Sequence, residues 1–183
     1  RCHTDLAPRR DPSQGAAPAP EWRSGGPYVL PDGAVMTPTV VLDVEASPSY
    51  ASDHTLFAAT RSGLFRSIDA GLHWQLLPGL PPAGDHSYFS HVRLSPDYAA
   101  DGVIVAAYAD TQTSAGTLYR SSDFGESWQP LTTFTQTVSA LALSPNFDAD
   151  DTLFAITGFD TYLRKSTDGG QSWQRYRFEP EEF

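Results

Sequence analysis

The side chains best equipped for chemistry recur at fixed intervals instead of meeting in one unique set. Asp69, Asp123 and Asp168 each sit in the pattern Ser-x-Asp-x-Gly-x-x-Trp, as SIDAGLHW (67–74), SSDFGESW (121–128) and STDGGQSW (166–173). Arg66, Arg120 and Lys165 stand immediately before the three octapeptides. A guanidinium is the best match for a carboxylate, because it can donate two parallel hydrogen bonds. The regular recurrence points elsewhere, to a structural cross-strand or unit-to-unit ion pair, and Arg93 and Arg164 form no set with these three. A second acidic series, Asp53, Asp101 and Asp150, follows Ser-Pro pairs. Its densest copy, DADD at 148–151, raises calcium, which takes about six to eight oxygens; no Asp-x-Asp-x-Asp-Gly loop with a distant Glu is present, and turn-forming Asp is the commoner role. His3, His54, His73, His86 and His91 lack metal-like spacing, and there is neither a Gly-x-Ser-x-Gly elbow nor a phosphate-cradling glycine loop. We therefore assign no catalytic residue, metal ligand or cofactor.

The elements that position these residues are themselves repeated. ASPSYASDHTLFAAT (46–60), LSPDYAADGVIVAAY (94–108) and LSPNFDADDTLFAIT (143–157) align, and each is followed by one of the octapeptides. The Ser-Pro pairs begin at 47, 95 and 144, so the periods are 48 and 49, suited to a four-stranded unit. In the first strand Leu42, Val44 and Ala46 alternate with Asp43 and Glu45, with Val92, Leu94, Leu141 and Leu143 at the equivalent apolar positions later. The second strand, 56–59, 104–107 or 153–156, is apolar on both sides, as a strand sandwiched between neighbouring units would be. The third spans 64–67, 118–121 or 163–166, and the fourth starts at Trp74, Trp128 or Trp173. No stretch has a helical period, and the expected class is all-β.

Within the octapeptide, Asp can accept backbone N–H bonds from residues further on and close a turn. Gly71, Gly125 and Gly170 supply the positive φ, and each Trp can wedge a ring between sheets. Ser67, Asp69, Gly71 and Trp74, with Ser121, Asp123, Gly125 and Trp128 and with Ser166, Asp168, Gly170 and Trp173, thus read as fold determinants.

Three such octapeptides in register with a second repeated motif resemble the Asp-box (BNR-repeat) family of sialidase-like propellers, which includes sortilin-type receptors and photosystem II assembly factors. The resemblance spans about 40–178. It implies three four-stranded propeller blades (about 39–80, 87–133 and 136–178 within 39–183), with the Asp-boxes as structural turns away from any catalytic face. The sialidase Arg-Ile-Pro signature is absent. Closed propellers have at least about four blades, so three imply either a piece of a longer propeller or a partial ring that self-association or a protein partner completes or covers. The resemblance also implies an exported setting.

Residues 1–38, rich in Pro, Gly and Ala, read as an extended, irregular N-terminal arm. The lone cysteine, Cys2, permits no internal disulfide, and it reads as an uninformative tail residue ahead of a lipid anchor or the end of a haem motif. A net charge of −10, with Lys165 the single lysine, disfavours nucleic acid and anionic lipid, and no apolar run is long enough to span a membrane as a helix. Loops that differ between otherwise similar units are the better recognition candidates. Those are 78–88 and 109–117, with Asp85, His86, Tyr88, Tyr108, Asp110 and Gln112 as candidate contacts. The leading expectation is a non-catalytic interaction or scaffolding module; the alternative is a glycan-binding or glycoside-hydrolysing propeller fragment.

Overall fold

The computed structural model describes residues 28–29, 35–36, 39–158 and 162–177. Within the expected arm, β1 (Tyr28–Val29) and β2 (Val35–Met36) pair antiparallel, so that stretch is not wholly irregular; the rest of 1–38 lies outside the described residues.

Three antiparallel four-stranded sheets follow, each in simple sequence order. Blade 1 comprises β3 (Val41–Ala46), β4 (Leu56–Thr60), β5 (Gly63–Ser67) and β6 (Gln75–Leu76). Blade 2 comprises β7 (Ser87–Leu94), β8 (Val103–Asp110), β9 (Gly116–Ser122) and β10 (Gln129–Phe134). Blade 3 comprises β11 (Val138–Leu143), β12 (Leu153–Thr157), β13 (Tyr162–Ser166) and β14 (Gln174–Arg177). Each fourth strand starts one residue after its Trp, which belongs to the turn. The sequence reading missed one-turn helices after each Ser-Pro pair: α1 (Tyr50–Asp53), α2 (Tyr98–Asp101) and α3 (Phe147–Asp150). Four residues are too few to show a helical period.

These helical turns explain the second acidic series. Asp53, Asp101 and Asp150 accept Ser47, Ser95 and Ser144 Oγ–H at 2.6, 2.5 and 2.7 Å, and each also takes the N–H two residues on at 2.8 Å. At 148–151 the Asp150 oxygens close such a turn. Among the described residues no group of three or more His, Cys, Asp or Glu could hold a metal ion.

Successive blades stack face to face over two apolar clusters. The first joins Phe57, Leu64 and Leu77 of blade 1 to Phe89, Val92 and Ile104 of blade 2, with Trp128 packed against it. The second joins Val105 and Leu118 of blade 2 to Leu141, Phe147 and Leu153 of blade 3, with Trp173 at its edge. In each case the Trp lies against the preceding blade. Blade 1 departs from expectation here: Val41, Leu42 and Val44 are 46, 41 and 53 % exposed, with no blade against them among the described residues. A bulge at Leu42, repeated at Ser90 and Ser139, also breaks the simple alternation of the first strand.

Candidate functional site

The three Asp-boxes share one geometry. Ser67, Ser121 and Ser166 are almost fully buried; each Oγ donates to its Asp at 2.7–2.8 Å and accepts the Gly71, Gly125 or Gly170 N–H at 2.9 Å. The Trp indole N–H closes the turn onto the same glycine's carbonyl at 3.0–3.1 Å. Ser127 and Ser172 donate both N–H and Oγ–H to Asp123 and Asp168. In the first box His73 substitutes for that serine, its exposed ring Nδ1 lying 2.6 Å from Asp69 Oδ2. So many donors favour the ionised carboxylate. The His73 N–H and ring hold Asp69 at about 2, and the Ser127 hydroxyl and N–H hold Asp123 at about 2. The Ser172 hydroxyl leads a similar set that holds Asp168 far below the usual range. Both oxygens of each carboxylate are hydrogen-bonded within the turn, which suits a structural role.

The arginine before each of the first two boxes reaches the next blade. Arg66 Nη1 donates to the Phe124 carbonyl at 2.7 Å and Nη2 meets Glu126 at 3.2 Å, the expected blade-to-blade contact. Arg120 holds the equivalent place beside Gly169, with its guanidinium 5.6 Å from the Phe147 ring centre, but its shielded Nε has no hydrogen-bond partner. Around it opens a polar cleft of about 680 Å³ lined by Ser122, Ser127, Gln129 and Gln171. Lys165 lies over the Phe154 ring of its own blade at 6.0 Å.

A second polar cluster spans the first strands of all three blades. Arg93 Nη1 contacts Asp43 at 2.5 Å and Glu45 at 3.7 Å, while its Nε donates to the Leu141 carbonyl at 2.9 Å. Asp43 also accepts the Val92 N–H at 3.1 Å. Burial raises the Glu45 pKa, opposed by Arg93 and reinforced by Asp43; burial also lowers that of His91. Two carboxylates in unlike environments are a familiar acid–base arrangement, yet here both converge on one arginine that ties three blades together. Reading Arg93 in isolation hid this set. The signal was available in the repeat alignment, which puts Asp43 in the column of His91 and Glu45 in the column of Arg93.

The two variable loops lie side by side. Thr111 donates its N–H and hydroxyl to the His86 carbonyl at 2.7 and 3.0 Å, and Tyr108 OH donates to the Pro82 carbonyl at 3.1 Å. Asp110 Oδ1 accepts the Gln112 N–H at 2.8 Å, and Tyr88 lies under Arg61 at 5.4 Å. Asp85 makes no described side-chain bond.

The BNR/Asp-box repeat pattern matches residues 164–175. The chain carries BNR/Asp-box repeats in three blades of the propeller type. Among solved structures it is similar to an ancestral GH74 enzyme (22 % identity, TM-score 0.56, covering 78 % of this chain and 19 % of that one). It is likewise similar to YCF48 from Cyanidioschyzon merolae (19 %, TM-score 0.51, covering 78 % and 38 %). A third such structure is the extracellular domain of a one-component system from B. thetaiotaomicron (14 %, TM-score 0.53, covering 74 % and 16 %). The chain thus spans less than two fifths of each of these proteins. No curated protein sequence matches it. No helix among the described residues is long and apolar enough to cross a membrane.

Proposed function

We propose that this chain is a non-catalytic, exported protein-interaction module, of the kind that serves as an accessory subunit or assembly factor. The observation that carries this reading is the pair of uncovered apolar end faces. One presents Val41 and Val44; the other presents Leu163 and Tyr176, 36 and 47 % exposed. Contiguous apolar surface of this kind marks an interaction site. Specificity is assigned to the paired loops, through Asp85, His86, Tyr88, Tyr108, Asp110 and Gln112. The reading is compatible with the likeness in fold to YCF48 and to the extracellular domain of a one-component system. Photo-cross-linking from positions 44 and 176 of the full chain tests the reading. Protein adducts support it; a well-folded chain that yields none from either position removes it.

A second reading, glycan binding or cleavage, draws on the cleft at Arg120, whose hydroxyls and amides suit a polyhydroxylated ligand, and on the likeness to the GH74 enzyme. A blank glycan array together with blank glycoside hydrolysis assays would dispose of it.

A further inference from the structure

The two joints between blades share one plan but leave very different spaces beside their arginines. Arg66 and Arg120 each stand one residue before an Asp-box serine, and each lies against the left-handed residue of the next box, Phe124 (φ +61°) or Gly169 (φ +70°). At the first joint the space beside Arg66 is about 170 Å³, lined by Ile68, His73 and Gln75. At the second it is about 680 Å³, lined at the equivalent positions by Ser122, Ser127 and Gln129. Two serines in place of an isoleucine and a histidine make room, and they turn the wall to hydroxyls.

The polar partners differ in the same direction. Arg66 gives Nη1 to the Phe124 carbonyl and Nη2 to the Glu126 carboxylate. Arg120 faces Gly169 where Arg66 has Phe124, and Gln171 stands where Glu126 does. Its guanidinium makes no described hydrogen bond or ion pair. It lies 5.6 Å from the centre of the Phe147 ring, and its Nε is shielded from water without an acceptor. A charged donor left unmatched in a sheltered place is costly, and an acceptor brought to it relieves that cost.

The acids nearby do not serve. Asp123 is bonded on both oxygens to Ser121 and Ser127 within its own turn, and Asp151, close to Gly169, makes no described ion pair with Arg120. Their charges oppose an incoming anion without forbidding it. At the first joint Glu126 meets Arg66 although Asp69 lines the same space.

We propose that the cleft at Arg120 is a binding site for a sugar acid. The ligand's carboxylate takes the place on this guanidinium that Glu126 takes on Arg66, and its ring hydroxyls meet Ser122, Ser127, Gln129 and Gln171. A carboxylate is the natural complement of a guanidinium. Hydroxyls and side-chain amides both donate and accept, as the hydroxyls of a sugar ring do. The volume falls within the range of about 300–1,000 Å³ typical of small-molecule sites. An acidic peptide would bring apolar groups for which this wall offers only Leu131 and Pro130. The net charge of −10 favours a ligand bearing one acid over a polyanion. This inference rests on the glycan-binding reading and adds that the ligand is charged.

Titration calorimetry on the full chain provides the test, with β-glucuronosyl-1,4-glucose and with cellobiose, the same disaccharide with a hydroxymethyl group in place of the carboxylate. The acid is expected to bind at a single site. Cellobiose should bind at least about tenfold more weakly, the loss that a hydrogen bond to a charged group commonly brings. Gln171→Glu, at an exposed position, gives the second joint the carboxylate of the first and should weaken the acid by a similar factor by occupying Arg120. Arg120→Gln should do the same, and thermal melting confirms that both variants fold. Equal binding of the two sugars overturns the inference and leaves the glycan reading standing. Binding of the acid that Gln171→Glu does not weaken also overturns it, since the carboxylate then sits elsewhere. No binding of either sugar overturns it as well, and the glycan array then decides whether the broader reading falls too. A tetraglutamate peptide that displaces the acid at lower concentration would make the cleft a peptide site and overturn the sugar assignment.

Discussion

Between blades 1 and 2 the Arg66 guanidinium ends on the Phe124 carbonyl and the Glu126 carboxylate, whereas between blades 2 and 3 Arg120 occupies the same place with neither. Where blade 2 has Glu126, blade 3 has Gln171. Both joints nevertheless close over fully buried side chains, Phe57 and Ile104 at one, Phe147 and Leu153 at the other. The difference teaches that apolar burial holds the blades together and the cation refines the fit. Glu126 is 62 % exposed, and such pairs contribute at most about 1 kcal/mol. Burying a Phe-sized side chain contributes about 1.5–3 kcal/mol.

The most direct way to break the comparison is to attack the apolar part. Phe147→Ala removes a side chain 1 % exposed from the second joint and is expected to lower stability by about 3–5 kcal/mol in denaturant unfolding. A loss no greater than that of Glu126→Gln would reverse the ranking of the two effects.

Seating distinguishes the joints next. Gly125→Ala and Gly170→Ala both place a side chain at positive φ, at a cost of about 1–3 kcal/mol. Gly170→Ala should lose roughly 1 kcal/mol more, since its Cβ falls 2.8 Å from Leu131 against 3.3 Å from Leu77 for Gly125. Equal melting shifts would show that Leu131 yields freely.

Exchanging the acid between joints has a smaller effect. Gln171→Glu is expected to gain, and Glu126→Gln to lose, up to about 1 kcal/mol, with both changes fading in about 1 M salt. Persistence in high salt would mean that shape, and not charge, sets the difference.

The last test is a pH dependence and concerns Asp123, whose folded pKa of about 2 lies below the ordinary 3.8. A depressed carboxylate pKa stabilises the fold above the unfolded value and loses that contribution as pH falls through the folded one. Stability should therefore decline between about pH 4 and 2, and Asp123→Asn should flatten that decline. An unchanged slope would mean that Asp123 is not part of the acid response.

Much of this was legible because repetition amplifies weak signals. SSDFGESW alone specifies a turn; three copies at periods of 48 and 49 specify blades. The strand order, the Asp-box roles and the reach of Arg66 all follow from that alignment. The one-turn helices did not, being shorter than any periodicity. Nor did the exposure of Val44, since alternation reports which face is apolar and not whether anything covers it. The Arg93 cluster was missed because its partners lie about fifty residues away, one blade back and one blade on.

Blade 2 is covered on both faces, and its second strand runs Val103, Ile104, Val105, Ala106 and Ala107, all between 0 and 5 % exposed. In a linear stack, each unit's resistance to opening is set by its own hydrogen bonds plus those neighbours it has. The amides of β8 should accordingly be the last to exchange with deuterium. Blade 1, bearing the uncovered strand β3, and blade 3 would exchange earlier. The molecule thus has a slow centre and two fast ends, a gradient that any partner seated on an end would flatten from that side.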